Sequence, residues 1–380
     1  MSNFDILYDR KSSGAIKWKY CTENEIPMWI ADMDFPMPQP ILDALHARLG
    51  HPFLGYDSSA KQALATVAEH YSRLYRFEFP TEWFTLVPSV MAGVQVACAA
   101  VGGSLIYCTP IYSHIRDVGP TLGQERIEVP MKVEDGRYLL DFDALEAAVT
   151  PETRCFLFCS PHNPVGRQFS RAEILQVLRF CERHGLTLIS DEIHCEVILD
   201  ELHTPAAALC HETTAPIIVV SSAAKICNVA RSMLGFTIIP DQTLRERVIR
   251  ASCGIFGMGG TLDGVILKTA YSRECDAWKM ALRDYLRGNR DLLEARIAEM
   301  PHISVTHCES TFLAWIDCRA LGVESPKAFF HEKAHLIFND GSEFGAPGFV
   351  RMNYACPRPL LTEALNRMAA AVADTVPANM

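Results

Sequence analysis

No stretch of this chain approaches the roughly 18 to 20 consecutive apolar residues that a membrane-crossing helix requires. The polar start MSNFDILYDRKSSG also lacks the apolar run of a secretory signal, so a cytoplasmic protein is expected. Basic residues are outnumbered, 35 Lys and Arg against 45 Asp and Glu, for a formal net charge of −10. Without a basic stripe, neither nucleic acid nor an anionic membrane surface is an expected partner. Fourteen cysteines are present but no CxxC pair, which removes the usual framework of a structural zinc site. Cys98, Cys155 and Cys159 sit in apolar runs, where a reduced thiol behaves as a small hydrophobe. Internal repeats and low-complexity segments are missing as well.

What remains is an ordinary globular composition, 49% hydrophobic and 21% charged over 380 residues, long enough that two domains are expected. The stretch Ile217–Gly235, IIVVSSAAKICNVARSMLG, organises the reading. Its β-branched start predicts a strand buried on both faces, and Ser221, Ser222 and Lys225 follow directly. Open α/β sheets bind ligands in the crevice beyond their strand tips, which makes Lys225 a candidate for chemistry, although a lone loop lysine is ordinarily a solvated one.

Other strand ends supply company. VPSVMAGVQVACAAVGG from Val87 predicts a turn opening into a helix buried all round, whose free N–H groups at Ser89, Val90 and Met91 could hold a phosphate. SLIYC (104–108) predicts a strand, with Tyr112 just beyond it. The apolar run 155–159 leads into SPHNPVG around Asn163. A helix capped by Ser170 and Glu173 and stopped at Gly185 comes next, then the strand LTLIS, then Asp191-Glu192-Ile193-His194. Strand, turn, helix, strand is a βαβ unit of a parallel sheet. Near the end, an amphipathic helix over about 277–300 is long enough to bridge two domains, and the short strands and helices after it predict a smaller α+β domain.

Tyr112, Asn163, Asp191 and Lys225 together match the needs of pyridoxal phosphate (PLP). That cofactor takes a Schiff-base lysine, a carboxylate at its pyridinium nitrogen, a hydrogen bond to its ring oxygen and a stacking ring. The motifs ADMDFP (31–36), LGY (54–56), PSV (88–90), TPIY (109–112), CSPHNPVG (159–166), SDEIH (190–194), SxxK (222–225) and GFVRMNYACPR (348–358) occur in order. Together they resemble the fold type I PLP enzymes of the MalY/PatB cystathionine β-lyase (C–S lyase) branch, kin of class I/II aminotransferases, over nearly the whole chain.

The resemblance implies an α/β fold with a mostly parallel central sheet flanked by helices. It implies a large PLP-binding domain over 51–280 and a small domain over 281–380 that the segment 1–50 joins. It makes Lys225 the Schiff-base lysine, Asp191 the pyridinium partner, Asn163 the ring-oxygen donor, Tyr112 the stacking ring and His194 the histidine near the ring. Val90, Met91 and Ser222 become phosphate-site positions, and Arg351 the grip on the substrate α-carboxylate. It further implies a homodimer in which Tyr56 reaches the partner's phosphate. The implied reaction is β-elimination from a cystathionine-like or other β-substituted sulfur amino acid, giving thiol, pyruvate and ammonia.

The lysine segment departs from the family pattern. Ala224-Lys225-Ile226-Cys227-Asn228 stands where the family commonly has a hydroxyl residue before the lysine and Ser/Thr-Phe-Asn after it, and Met233 stands where aminotransferases place a phosphate arginine. Arg231 is the expected substitute for the lost phosphate contact. The rival readings are an aminotransferase, which shares every step up to the carbanion, a specialised secondary-metabolism PLP enzyme, and a non-catalytic regulator on the same fold. A serine acyl-enzyme built on Ser222-x-x-Lys225 would need SDN and KTG elements, which are absent.

Overall fold

The computed structural model describes residues 3–232, 234–252 and 259–373; Met233 lies outside them. Its main sheet has seven strands in the order Phe84–Val87, Gly235–Ile238, Ile217–Ser221, Thr187–Asp191, Thr153–Cys159, Ser104–Thr109, Arg126–Pro130. The last five are mutually parallel, and Gly235–Ile238 runs against both of its neighbours.

Continuous apolar runs produce this arrangement because each central strand is covered twice. Along the lysine strand, Ile218 and Val220 enter the core on one sheet face while Ile217 and Val219 enter the core on the other, as the two-residue period of a strand requires. The helix Val90–Val101 covers the first face and the helix Arg171–His184 the second, through Ile174, Val177, Leu178 and Cys181. Ser170 and Glu173 cap the latter helix reciprocally, and Gly185 ends it in the left-handed conformation, as the sequence predicts. The Val90–Val101 helix differs from expectation, since Ala99 is exposed and only one face is sealed against the sheet. Gly93 is what lets that helix approach: a Cβ there would stand 2.6 Å from Val220 Cγ1.

The helix Asp276–Ala298 leads to a second, antiparallel sheet ordered Ser304–Val305, Leu313–Asp317, Phe349–Asn353, Asn339–Asp340. The N-terminal segment joins it, with Ile26–Pro27 pairing in parallel with Leu336–Ile337. The long helix also reaches back to the main sheet. Lys279 Nζ bonds Glu196 Oε2 at 2.9 Å, His70 Nε2 lies 3.3 Å from the same oxygen, and all three side chains are buried. Burial would raise the Glu196 carboxyl, but Lys279 and His70 overcome it and hold the group well below the usual range. Removing one partner of a buried pair leaves an uncompensated charge. Glu196→Ala is therefore expected to cost about 3–5 kcal/mol in urea unfolding, and an unchanged midpoint would show that the pair carries no such weight.

Candidate active site

Sheet register sets the site. Cys159 pairs with Asp191 and Asp191 with Val220, so three strands end level. The residues just past those ends, Asn163, His194 and Lys225, meet in one cavity of about 160 Å³ that Ala31, Ser89, Val90, Met91, Tyr112, Cys159, Asp191 and Ile193 also line. Ser89 caps the Val90–Val101 helix by accepting from Ala92 N, so the helix starts at the cavity wall with its free amides and positive dipole end.

The charged groups are all perturbed by enclosure. Burial lowers the Lys225 amine to about 8, helped by the nearby Arg351 guanidinium and opposed by Asp32 and Asp191. Its Nζ donates to Ala31 O at 2.6 Å. Burial raises the Asp191 carboxyl to about 6 against the pull of the Ile193 N–H and Lys225. That carboxylate accepts from Ile193 N at 3.1 Å. His194 is driven well below its ordinary value by burial, Lys225 and Arg351, so its ring is neutral, and both ring nitrogens are buried without a partner. Arg351 is lowered to about 10 by burial and stays charged at neutral pH. It donates from Nη1 to Asn163 Oδ1 at 3.0 Å and from Nη2 to Trp29 O at 3.1 Å and Asn339 Oδ1 at 2.7 Å, while its buried Nε has no partner.

Residues of the Asp191–Glu196 turn have opposite jobs. Asp191 and His194 line the cavity, whereas Glu192 points into the core, where Ser190 Oγ, Ala206 N and His203 Nε2 stand 3.0, 2.9 and 3.0 Å from its oxygens. Glu192 and Glu196 thus clamp the turn from beneath. The charged text DEIHCE gave no sign that these two were buried.

Of the residues expected at the site, Lys225, Asp191, Asn163, Tyr112, His194, Val90 and Met91 line one cavity, with Arg351 bonded to its edge through Asn163. Three stand elsewhere. The Ser222 hydroxyl donates to Leu234 O at 3.0 Å and accepts from Ala224 N, so it is spent within its own loop. Arg231 is exposed and lines a different cavity with Arg10 and Asp32. Tyr56 is fully exposed in the single chain. The roles of the Ala31 carbonyl and of Asn339 were missed: Ala31 opens the ADMDFP motif, but a backbone carbonyl looks alike in every residue, and Asn339 sits in a two-residue strand that no motif marks. Among the described residues no cluster of His, Cys, Asp and Glu could hold a metal ion.

A mostly parallel sheet whose strand ends bring a buried lysine, aspartate and asparagine into one cavity defines the fold type I class of PLP-dependent enzymes. Within that class the chain belongs to the aminotransferase class I and II family, whose sequence pattern matches residues 32–368. The cystathionine β-lyase PatB of Bacillus subtilis is 29% identical, covering 97% of this chain and 100% of its own. Among solved structures, OvoB superposes with a TM-score of 0.94 at 35% identity, covering 100% of both chains. Cystalysin from Treponema denticola, whose structure contains pyridoxal 5'-phosphate, superposes with a TM-score of 0.93 at 27% identity, covering 99% of this chain and 100% of its own.

Proposed function

We propose that the chain is a PLP-dependent C–S β-lyase acting on a cystathionine-like amino acid. The observation that carries this reading is the single cavity shared by Lys225, Asp191, Asn163 and His194, with Arg351 hydrogen-bonded at its edge. The unsatisfied groups fit the cofactor: a buried carboxylate raised to about 6 wants a cationic N–H donor, His194 presents two partnerless ring nitrogens, and a helix start offers amides to an anion. Lys225 would hold the cofactor through Nζ, Asp191 its ring nitrogen, Asn163 and His194 its polar edge, Tyr112 its face, and the amides of Val90 and Met91 its phosphate. When bound, the cofactor supplies an electron-accepting ring for the pair left by a broken Cα–H bond.

The chain's own residues do the rest. Arg351, still charged, binds the substrate α-carboxylate with its planar fork. Lys225 takes the α-proton as a neutral amine, a form its lowered pKa makes accessible near neutral pH. The pair from the Cα–H bond becomes the Cα–Cβ π bond, and the Cβ–S pair departs with sulfur, which takes a proton to become a thiol. Water then hydrolyses the released enamine to pyruvate and ammonia. In incubation with cystathionine and no keto-acid acceptor, pyruvate and free thiol are expected in equal amounts. Stoichiometric pyridoxamine phosphate without thiol would establish the aminotransferase instead.

The substrate class is a small amino acid, and a homodimer completes the site in this proposal. Leu49, Phe53, Leu54 and Tyr56 form an exposed apolar arm that a second copy would cover, with Tyr56 reaching the partner's phosphate, the Ser222 backbone bordering the phosphate end, and Arg231 turning to it from the neighbouring cavity that it lines in the free chain. Arg231→Ala is expected to weaken cofactor retention in a titration; full retention would remove Arg231 from the site. We assign 1–50 and 281–380 to the small domain and 51–280 to the large one, which the pairing of Ile26–Pro27 with Leu336–Ile337 supports. A reducing, cytoplasmic setting suits the thirteen described cysteines, all of them free; no described helix is long and apolar enough to cross a membrane.

A further inference from the structure

The segment from Trp29 to Phe35 is extended and irregular, yet its backbone is claimed residue by residue. Trp29 O accepts from Arg351 Nη2 at 3.1 Å. Ile30 O and Asp32 O accept from Asn353 Nδ2 at 2.6 and 2.9 Å. Ala31 O accepts from Lys225 Nζ at 2.6 Å. Met33 O and Phe35 O accept from Asn228 Nδ2 at 2.9 and 2.7 Å, and Met33 N donates to Asn228 Oδ1 at 3.1 Å. Asp34 N donates to Ala355 O at 2.9 Å. Beneath the segment, the Asp34 carboxylate is fixed by Lys17 at 2.6 Å, Trp18 at 2.8 Å and Arg10 at 3.0 Å, with Lys17 and Asp34 both buried.

These bonds come from two places. Lys225 and Asn228 belong to the loop after the lysine strand of the main sheet, and Arg351 and Asn353 share one strand of the second sheet. Arg351 and Lys225 carry like charge, and the arginine lowers the amine's proton affinity. Left to themselves the two groups would separate. In an α-amino acid the carboxylate and the departing proton sit on the same carbon, so the spacing of the amine and the guanidinium decides whether the amine, in its neutral form, meets the proton. A misplacement of about 1 Å can cost about 10²-fold in rate.

We propose that Asn228 and Asn353 are positioning residues that splint the Trp29–Phe35 segment from its two sides and thereby fix the Lys225 amine relative to the Arg351 guanidinium. The amine, when free of the cofactor, rests on the Ala31 carbonyl between the two splints. This rests on the roles proposed above for Lys225 and Arg351. It accounts for Asn228 standing three residues after the lysine with a left-handed backbone, φ +54°, a conformation asparagine tolerates. From there its side chain spans two carbonyls and one N–H.

The test uses the cofactor-loaded protein. Asn228→Gly keeps the left-handed backbone accessible and deletes the three side-chain hydrogen bonds. It is expected to lower kcat about 10²-fold while cofactor stoichiometry and visible absorbance stay as in the wild type, and to speed hydrogen–deuterium exchange in a peptide spanning 29–35. Asn353→Ala, on the other side, is expected to do the same. The double variant is expected to lose little more than either single one, because one released side already frees the segment. Wild-type kcat and exchange in Asn228→Gly would reduce Asn228 to a backbone cap, and multiplying losses in the double variant would show two unrelated structural roles. Either result overturns the splint. Asn353→Ala carries the test alone if Asn228→Gly does not fold. Failure of the proposed reaction is a separate outcome, visible as no pyruvate from the unaltered protein.

Discussion

Lys225→Ala is expected to lower pyruvate release from cystathionine by about 10⁴-fold, the upper end of what a positioned acid–base group contributes. Two functions leave with one side chain, since the amine is both the anchor for the cofactor and the base for the α-proton. No neighbour replaces it. Arg351 remains charged and cannot accept a proton. His194 shares the cavity with Lys225, but burial and the neighbouring cations drive its proton affinity well below the ordinary value, which makes it a far weaker base than the amine. Lys225→Arg is expected to be as inactive as Lys225→Ala, because a guanidinium keeps its charge where a lowered lysine gives it up. Loss of folding would not explain the result. At pH 7 burial opposes the charged amine, so its removal relieves a cost, and the cofactor-free variant is expected to unfold at a temperature no lower than the wild type. Turnover within tenfold of wild type in Lys225→Ala would sink the assignment of both roles.

Asp191→Asn is expected to lower turnover by about 10²- to 10³-fold, the scale set by deleting one preorganised electrostatic partner from a buried site. The same change is expected to stabilise the cofactor-free protein. Burial lifts the Asp191 carboxyl from 3.8 to about 6, so the folded chain binds a proton there more tightly than the unfolded chain does. The stability this contributes is fully present below pH 4 and lost as pH rises through about 6. By pH 7 the loss amounts to about 3 kcal/mol, at about 1.4 kcal/mol per pH unit. Asparagine does not titrate. The cofactor-free variant should therefore exceed the cofactor-free wild type by about that amount at pH 7, and the gap should close below pH 4. Paired urea unfolding curves at pH 7 and pH 4 decide it; a gap independent of pH would mean that Asp191 is not held in a destabilised state awaiting a cation.

The sequence by itself determined the strands and most of the cavity. The unbroken apolar runs at 155–159 and 217–220 and the largely apolar LTLIS at 186–190 have one stable outcome in a chain this large, strands covered on both faces, and residues following such strands fall at one edge because parallel register aligns the tips. Asn163, Asp191, His194 and Lys225 were legible for that reason, and so were the capped helix 171–184 and the βαβ unit it completes. Arg351 was legible only through the motif around it, since two of its partners, Asn163 and Trp29 O, lie far away in sequence and the third, Asn339, faces it only once the neighbouring strand has paired.

Tertiary structure alone decided three things. It turned Glu192 and Glu196 into buried supports, because a carboxylate is buried only where His203, Lys279 and backbone donors converge on it. It consumed the Ser222 hydroxyl on Leu234 O at the far end of its loop and on Ala224 N, bonds that leave no trace in residue spacing. It also laid Trp29–Phe35 between the two sheets, where backbone carbonyls, identical in every residue and so invisible in the sequence, became the partners of Lys225, Asn228, Arg351 and Asn353. Residue type announces which groups can do chemistry; the long-range hydrogen bonds that hold them at working distance exist only once the chain has closed on itself.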